Sequence, residues 1–356
     1  MEPIYFDARF IRLDYHDGIS RFSVELINAL AKNYEVVAII HDQKQLDYLP
    51  KGIKSLKVNS PELASEFFIA NKLNRVGAKL VYSPMQVMGS WGRKYRLVLT
   101  LHDLIYYRHR KPPQDLNLAI RILWRLYHLS YLPQRILLNR ADAVVTVSET
   151  TKKLIKKHRL TRKPVEVIYN AVTPVKSPAR TFPTTRDVLY IGSFMPYKNV
   201  ETLIRGVGLS DGFTLHLLSK IPVDRERQLQ LLAKSSNCNV VFHRGVSDEK
   251  YKELLSRAFA LLTASKDEGF GIPLIEAMAQ GTPVLVSDLE IFREVAQEAG
   301  TYFDPLSPEQ LANRLNELAD KSRWLEKSKA SMSRAKFFRW EESAEKLARI
   351  LSQPNL

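Results

Sequence analysis

Residues 268 to 276 read Glu-Gly-Phe-Gly-Ile-Pro-Leu-Ile-Glu, two carboxylates around a Gly-Phe-Gly turn with Pro273 where a helix would begin. Proline suits the first helical turn because no amide donor is needed there. The helix then runs through Leu274, Ile275, Ala277, Met278 and Ala279 and stops at Gly281, a natural helix terminator. Glu268 therefore falls on the loop and Glu276 in the opening turns of the helix, close enough to share one pocket. Amides at a helix start, beside glycines that let a ligand approach the backbone, form an anion site. Two carboxylates near a phosphate would repel it, so their natural partners are the hydroxyl groups of a sugar. Taken singly, each glutamate also reads as a solvated side chain; the complete nine-residue string is what separates it from that reading.

Three further positions could join this chemistry. Gly18, in Gly18-Ile19-Ser20-Arg21-Phe22, follows the first strand region and precedes a helix, where backbone amides could approach a diphosphate; a plain turn accounts for this one glycine as well. Lys198 closes the loop that starts at Gly192 and is placed to neutralise a diphosphate, although a lone loop lysine is usually just solvated. His102 ends the run Leu97–Leu101, at the carboxyl end of a strand, where open α/β sheets hold ligands. No Asp-x-Asp occurs, and eight His and one Cys form no cluster with ligand spacing, so no metal is expected. The charge of a leaving diphosphate would then fall to Lys198, helix-start amides and Arg21.

Such residues need a scaffold of strands with helices between them. Val36–Ile40, Leu97–Leu101 and Ala143–Val147 read as buried parallel strands, with a helical period from Phe22 to Lys32. Pro174, Pro178 and Pro183 lie in a Ser/Thr-rich stretch that reads as a linker. The alternation restarts at Val188–Gly192 and continues through runs at 214–218, 240–242, 260–262 and 283–286. The expected organisation is a first α/β domain over 1–172, a linker over 173–186, a second α/β domain over 187–336 and a terminal amphipathic helix within 337–356.

The string from Glu268 to Glu276 continues through Ala277-Met278-Ala279-Gln280-Gly281-Thr282-Pro283-Val284 to Glu294-Val295, and the whole resembles the signature of the retaining family-four glycosyltransferases. The resemblance spans most of the chain and is strongest over 188–305. It implies the GT-B architecture: two Rossmann-like, doubly wound parallel-sheet domains facing a central cleft, with a final helix crossing back to the first. It implies donor contacts from Glu276 to the ribose, from the backbone of Phe270 and Gly271, and from Glu268 to the sugar hydroxyls. The loop ending Lys198-Asn199 is similar to the family's Lys-Gly or Lys-Asn loop, with Ser193 near the position where many members carry arginine. His102-Asp103 is similar to a family His-Asp pair whose histidine contacts the donor sugar near the reacting carbon. Gly18 to Phe22 is similar to Gly-Ile-Gly-Arg-Tyr, with Ser20 replacing the second glycine. The implied reaction moves a hexose, mannose from GDP-mannose as first guess ahead of UDP-sugars, from a nucleoside diphosphate sugar to a glycan or lipid-linked acceptor. The donor is a co-substrate, and neither cofactor nor metal is implied.

Length and charge bound the remaining possibilities. The 356 residues suit two domains, and no run approaches the ~18 apolar residues of a membrane span. The first residues lack the pattern of a signal peptide and Cys238 is the single cysteine, so a cytoplasmic protein is expected, with peripheral attachment to the cytoplasmic membrane as an option. The net charge of +15 is concentrated as +13 in residues 1–175 against +2 in 176–356. Such a field attracts an anionic bilayer, a nucleic acid or an acidic glycan, or it is a solvated surface without a partner. Over 116–140, Arg121, Arg125, His128 and Arg135 fall on one helical face, with Leu118, Ile122, Trp124, Leu126, Tyr127, Leu129 and Tyr131 over much of the rest and Pro133 as a kink or stop. That helix reads equally as an interfacial element or as a core helix with a basic edge. A dinucleotide-dependent oxidoreductase would need Gly-x-Gly-x-x-Gly after a strand, which neither Gly18 nor Gly192 begins. A nucleic-acid-binding protein would need a reading module, and none is present, so nucleic acid is not an expected partner.

Overall fold

A computed structural model describes residues 1–13, 17–110, 118–173 and 180–353, without the side chains of residues 118 and 119. Two compact units emerge: Met1–Ala171 with Arg339–Leu356, and Val172–Phe338.

The first unit is built on β1 (Ile4–Asp7), α1 (Gly18–Leu30), β2 (Val36–Ile40), β3 (Lys54–Lys57), α2 (Ile69–Arg75), β4 (Leu80–Ser83), β5 (Arg96–Leu101), α3 (Ile105–Arg108), α4 (Leu118–Tyr127), α5 (Leu132–Asn139), β6 (Ala143–Thr146), α6 (Glu149–Lys157) and β7 (Val165–Val167). Its strands form a parallel sheet in the order β3-β2-β1-β4-β5-β6-β7. Runs such as Val-Val-Ala-Ile-Ile in β2 are buried throughout, as expected of central strands covered on both faces.

The second unit contains β8 (Asp187–Tyr190), α7 (Val200–Gly208), β9 (Thr214–Leu217), α8 (Val223–Ser235), β10 (Asn239–Phe242), α9 (Asp248–Arg257), β11 (Ala260–Thr263), α10 (Ile272–Ala279), β12 (Val284–Ser287), α11 (Glu290–Ala296), β13 (Gly300–Phe303), α12 (Pro308–Leu318) and α13 (Lys321–Ala335). The parallel order is β10-β9-β8-β11-β12-β13. Trp324 of α13 is fully buried and donates its indole N–H to the Phe259 carbonyl at 2.8 Å, satisfying the polar atom of the largest core side chain. The last helix, α14 (Trp340–Ser352), packs in the first unit. Its buried stripe of Trp340, Ala344, Leu347, Ala348 and Leu351 lies on α1, with the Trp340 and Phe22 rings edge to face at 5.9 Å.

Three details differ from the pattern in the sequence. Pro174 and Pro178 of the expected linker lie outside the described residues, but its later part is packed: Arg180 donates to the Leu255 and Ala258 carbonyls, and the Phe182 ring is 5.8 Å from Trp324. Phe337 and Phe338, expected to start the terminal segment, belong to the second unit, where Arg334 lies over both rings. The helical stretch expected over 116–140 with Pro133 as a kink or stop is two helices, broken before Pro133, which sits in the first turn of α5, where its missing N–H costs nothing.

Candidate donor site and family

Strand order in the second unit reverses between β8 and β11: β9 and β10 follow β8 to one side, β12 and β13 follow β11 to the other. Parallel α/β sheets bind ligands at the carboxyl ends of the strands at such a switch point. The two loops that leave these strands carry the expected residues, and they are joined there. The Lys266 amide donates to the Tyr197 carbonyl at 2.7 Å, and the Lys198 ammonium is ion-paired with the Glu268 carboxylate. Each of the two side chains is only 15% exposed. Ser265, fully buried, donates to the same Glu268 oxygen at 3.1 Å.

The loop after β8 owes its shape to Asn199, which is left-handed at φ 54°. Asparagine is among the few side-chain-bearing residues that enter this region readily, which explains an Asn where the family otherwise has Gly. The Asn199 side-chain amide donates to the carbonyls of Ala264 at 3.1 Å and Pro305 at 2.7 Å, fixing Lys198 beside the β11 loop. Lys198 also lies 5.3 Å from the centroid of the Tyr197 ring. Ser193 is exposed at the start of the loop, and its carbonyl accepts from the Tyr190 hydroxyl at 2.5 Å.

Helix α10 begins as the sequence predicts. Gly271 is its N-cap at φ 93°, and a Cβ there would stand 3.1 Å from the Phe292 ring, so both conformation and space call for glycine. No side chain caps this helix start. Phe270 is buried, edge to face with Phe338 at 5.6 Å, which leaves its backbone as the part that a ligand could meet. The helix ends in a Schellman turn, Gly281 N–H to Met278 O at 3.0 Å and Thr282 N–H to Ala277 O at 2.9 Å. Glu276, one turn in, accepts from the hydroxyl of buried Tyr251 at 3.0 Å. Ser265 and Tyr251 escape a sequence reading: a serine in a loop and a tyrosine on a helical stripe carry no signal of a carboxylate partner.

In the first unit, His102 leaves β5 and Pro84 leaves the adjoining β4. The His102 Nε2 is 2.8 Å from the Pro84 carbonyl, which can only accept, so Nε2 carries a proton. Burial lowers the His102 pKa, outweighing the Pro84 bond and the Asp17 charge, so the ring is neutral at pH 7 with Nδ1 as an acceptor. Its edge meets Phe22 at 5.3 Å. Gly18 is the first residue of α1, but the start of that helix is already served by a carboxylate. Asp17 is the N-cap and accepts from the Ser20 amide at 2.8 Å, and it pairs with Arg12 at 2.7 Å. Buried Ser20 accepts from the Arg12 amide at 3.1 Å, which gives the serine a structural role where the family has glycine. Among the described residues no group of three or more His, Cys, Asp or Glu is arranged to hold a metal.

Two parallel Rossmann-like units with these loops at the strand ends define a GT-B glycosyltransferase. Residues 16–176 match the family Glycosyltransferase Family 4 and residues 174–338 match Glycosyl transferases group 1. The chain belongs to this family of glycosyltransferases. It is 28% identical over 302 residues to the O-antigen chain mannosyltransferase RfbU of Salmonella typhimurium, covering 81% of this chain and 83% of that one. It is 26% identical over 366 residues to the O-antigen chain mannosyltransferase B of Escherichia coli, covering 91% and 93%. Anabaena HepE, crystallised in complex with UDP and glucose, has the same fold, with a TM-score of 0.72, 17% identity and 99% of each chain covered.

Proposed function

We propose that this glycosyltransferase moves mannose from GDP-mannose to a glycan or lipid-linked acceptor of the cell envelope, with retention of configuration and without a metal. The observation that carries the reading is the meeting of Lys198, Glu268 and the α10 start at the β8/β11 switch point. Two relatives that span most of the chain are O-antigen mannosyltransferases, which supports mannose and an envelope acceptor.

In this reading Glu276, oriented by Tyr251, accepts from the ribose hydroxyls, and the backbone of Phe270 and Gly271 lines the nucleotide. Lys198 turns from Glu268 to the diphosphate, assisted by Ser193 on the same loop. Glu268, released, accepts from the mannose hydroxyls, and His102 accepts from the sugar near its reacting carbon. The bond from the anomeric carbon to phosphate breaks with its electron pair going to the leaving diphosphate, where Lys198 offsets the developing charge. The acceptor hydroxyl attacks from the face the diphosphate leaves and passes its proton to a phosphate oxygen.

The test presents GDP-mannose, UDP-glucose and UDP-galactose singly to the purified protein with an envelope extract as acceptor. Consumption of GDP-mannose with an α-linked product supports the reading. Consumption of a UDP-sugar in its place overturns the donor, and a β-linked product overturns retention.

A further inference from the structure

Surface helices ordinarily bury aliphatic residues and expose charged ones. In α4 and the turn that follows it the packed side is aromatic and the aliphatic side points out, while α5 buries Gln134 and Leu138 and leaves Leu132 and Ile136 exposed. The Trp124 and His128 rings lie 4.1 Å apart, Tyr107 and Tyr131 are 4.4 Å apart, and Tyr131 stacks on His158 at 4.5 Å. The Tyr127 hydroxyl donates to Gln134 Oε1 at 2.9 Å, tying one helix to the other. With that side anchored, Leu123, Leu126, Leu129 and Leu132 are 58 to 67% exposed, and Ile122 and Ile136 are exposed beside them. Single exposed leucines are ordinary, but six exposed aliphatic side chains within fifteen residues, on two successive short helices and the turn between them, mark an interaction surface.

Charge identifies the occupant. Residues 118–140 contain Arg121, Arg125, Arg135 and Arg140 and no Asp or Glu. Arg125 is exposed among the leucines of α4, and Arg140 is exposed four residues beyond Ile136 on the same face of α5. His128, which the sequence groups with these cations, is turned inward: its Nδ1 bonds to the Trp124 carbonyl at 2.8 Å. A second copy of this chain docked face to face would set arginines against arginines. Aliphatic side chains that enter the acyl boundary, with guanidinium groups left at the phosphates, are what an anionic bilayer accommodates. Among the described residues no helix is long and apolar enough to cross a membrane, and α4 and α5, with ten and eight residues, have the dimensions of interfacial elements.

We infer that the α4–α5 face is a membrane-docking surface on which Leu123, Leu126, Leu129 and Leu132 enter an anionic bilayer while Arg125 and Arg140 hold its headgroup phosphates. The contact depends on neither donor nor sugar, and it would set the first unit at the surface where a lipid-linked acceptor resides.

Sedimentation of the full chain with vesicles, without donor or acceptor, tests this separately from transfer. Binding is expected to vesicles of phosphatidylcholine with phosphatidylglycerol, and little to phosphatidylcholine alone. The double substitution Leu123→Ser/Leu126→Ser weakens it about tenfold or more at low salt. Arg125→Gln and Arg140→Gln each weaken it about fivefold, less at high salt. Unchanged melting temperatures show that the variants fold. Equal recovery in the supernatant with both vesicle types overturns the inference, as does binding indifferent to the leucine substitutions. Light scattering that finds a dimer, made monomeric by Leu123→Ser/Leu126→Ser, would assign the face to a second copy.

Discussion

Lys198 and Glu268, seventy residues apart in sequence, form an ion pair between the two loops at the β8/β11 switch point. The pair couples the two donor functions proposed for these residues. While the ammonium is held by the carboxylate, the charge of each is offset by the other and not by the ligand it is proposed to meet. In the proposed reading a donor diphosphate competes with Glu268 for Lys198, and in doing so releases Glu268 to the sugar.

Glu268→Gln should therefore separate nucleotide binding from transfer. Removing the carboxylate frees Lys198 and removes a like charge from the neighbourhood of the phosphates. Free GDP should bind about fivefold more tightly, while kcat falls. Calorimetry with GDP and a transfer assay measure the two effects. Weaker GDP binding would mean that Glu268 itself contacts the nucleotide.

Lys198→Ala should slow the chemical step as well, and by more. The leaving diphosphate loses its charge partner, and a fall in kcat of about a hundredfold or more is expected, the scale seen when a preorganised oxyanion donor is removed. The variant also leaves Glu268 largely buried with Ser265 and no cation, so its melting temperature should drop modestly. If Lys198 carries the charge, chelation with EDTA leaves wild-type transfer intact. Loss of activity on chelation, restored by magnesium or manganese, would overturn the metal-free reading.

Much of this arrangement is legible in the sequence because it is local. The Gly271 N-cap, Pro273 in the first turn and the Gly281 terminator each act through the backbone conformation of a few neighbours, and α10 forms where they place it. Buried runs of Val, Ile and Leu likewise mark β2, β5 and β6. The edge strand β3, Lys-Ser-Leu-Lys, is largely exposed and carries no apolar run, so pairing with β2 alone makes it a strand. The capping of α1 by Asp17, the hydroxyls of Ser265 and Tyr251, and the outward leucines of α4 depend on which segments the fold brings together. Amphipathicity shows that a helix has two faces; in α4 it does not say that the aromatic face is the one packed.

Glu276→Ala should weaken GDP binding by about 1.5–3 kcal/mol, roughly 10- to 150-fold, through loss of a charged acceptor for the ribose. Tyr251→Phe removes the hydroxyl that orients this carboxylate and should cost a smaller part, about 0.5–1.5 kcal/mol. A Tyr251→Phe loss that persists when Glu276 is already alanine would mean that the tyrosine acts independently of it; a double-mutant cycle by calorimetry decides.

The histidines predict the acid side of the pH dependence. Burial, chiefly, lowers the pKa of His102, and of His128 and His158 in the same unit, below the ordinary value of 6.5. The folded state then binds fewer protons than the unfolded chain as pH falls through about 6.5, so stability is full above that value and declines below it. The melting temperature should be flat from pH 8 to about 7 and fall progressively towards pH 5, with His102→Asn removing part of the slope. Activity should fall along an acid limb in the same direction, because a second proton on His102 occupies Nδ1 and converts the acceptor into a donor. That limb should lie below about pH 6.5 in the pH profile of kcat/KM. A limb centred above pH 7 would show that His102 titrates upward and that the neutral imidazole is not the working form.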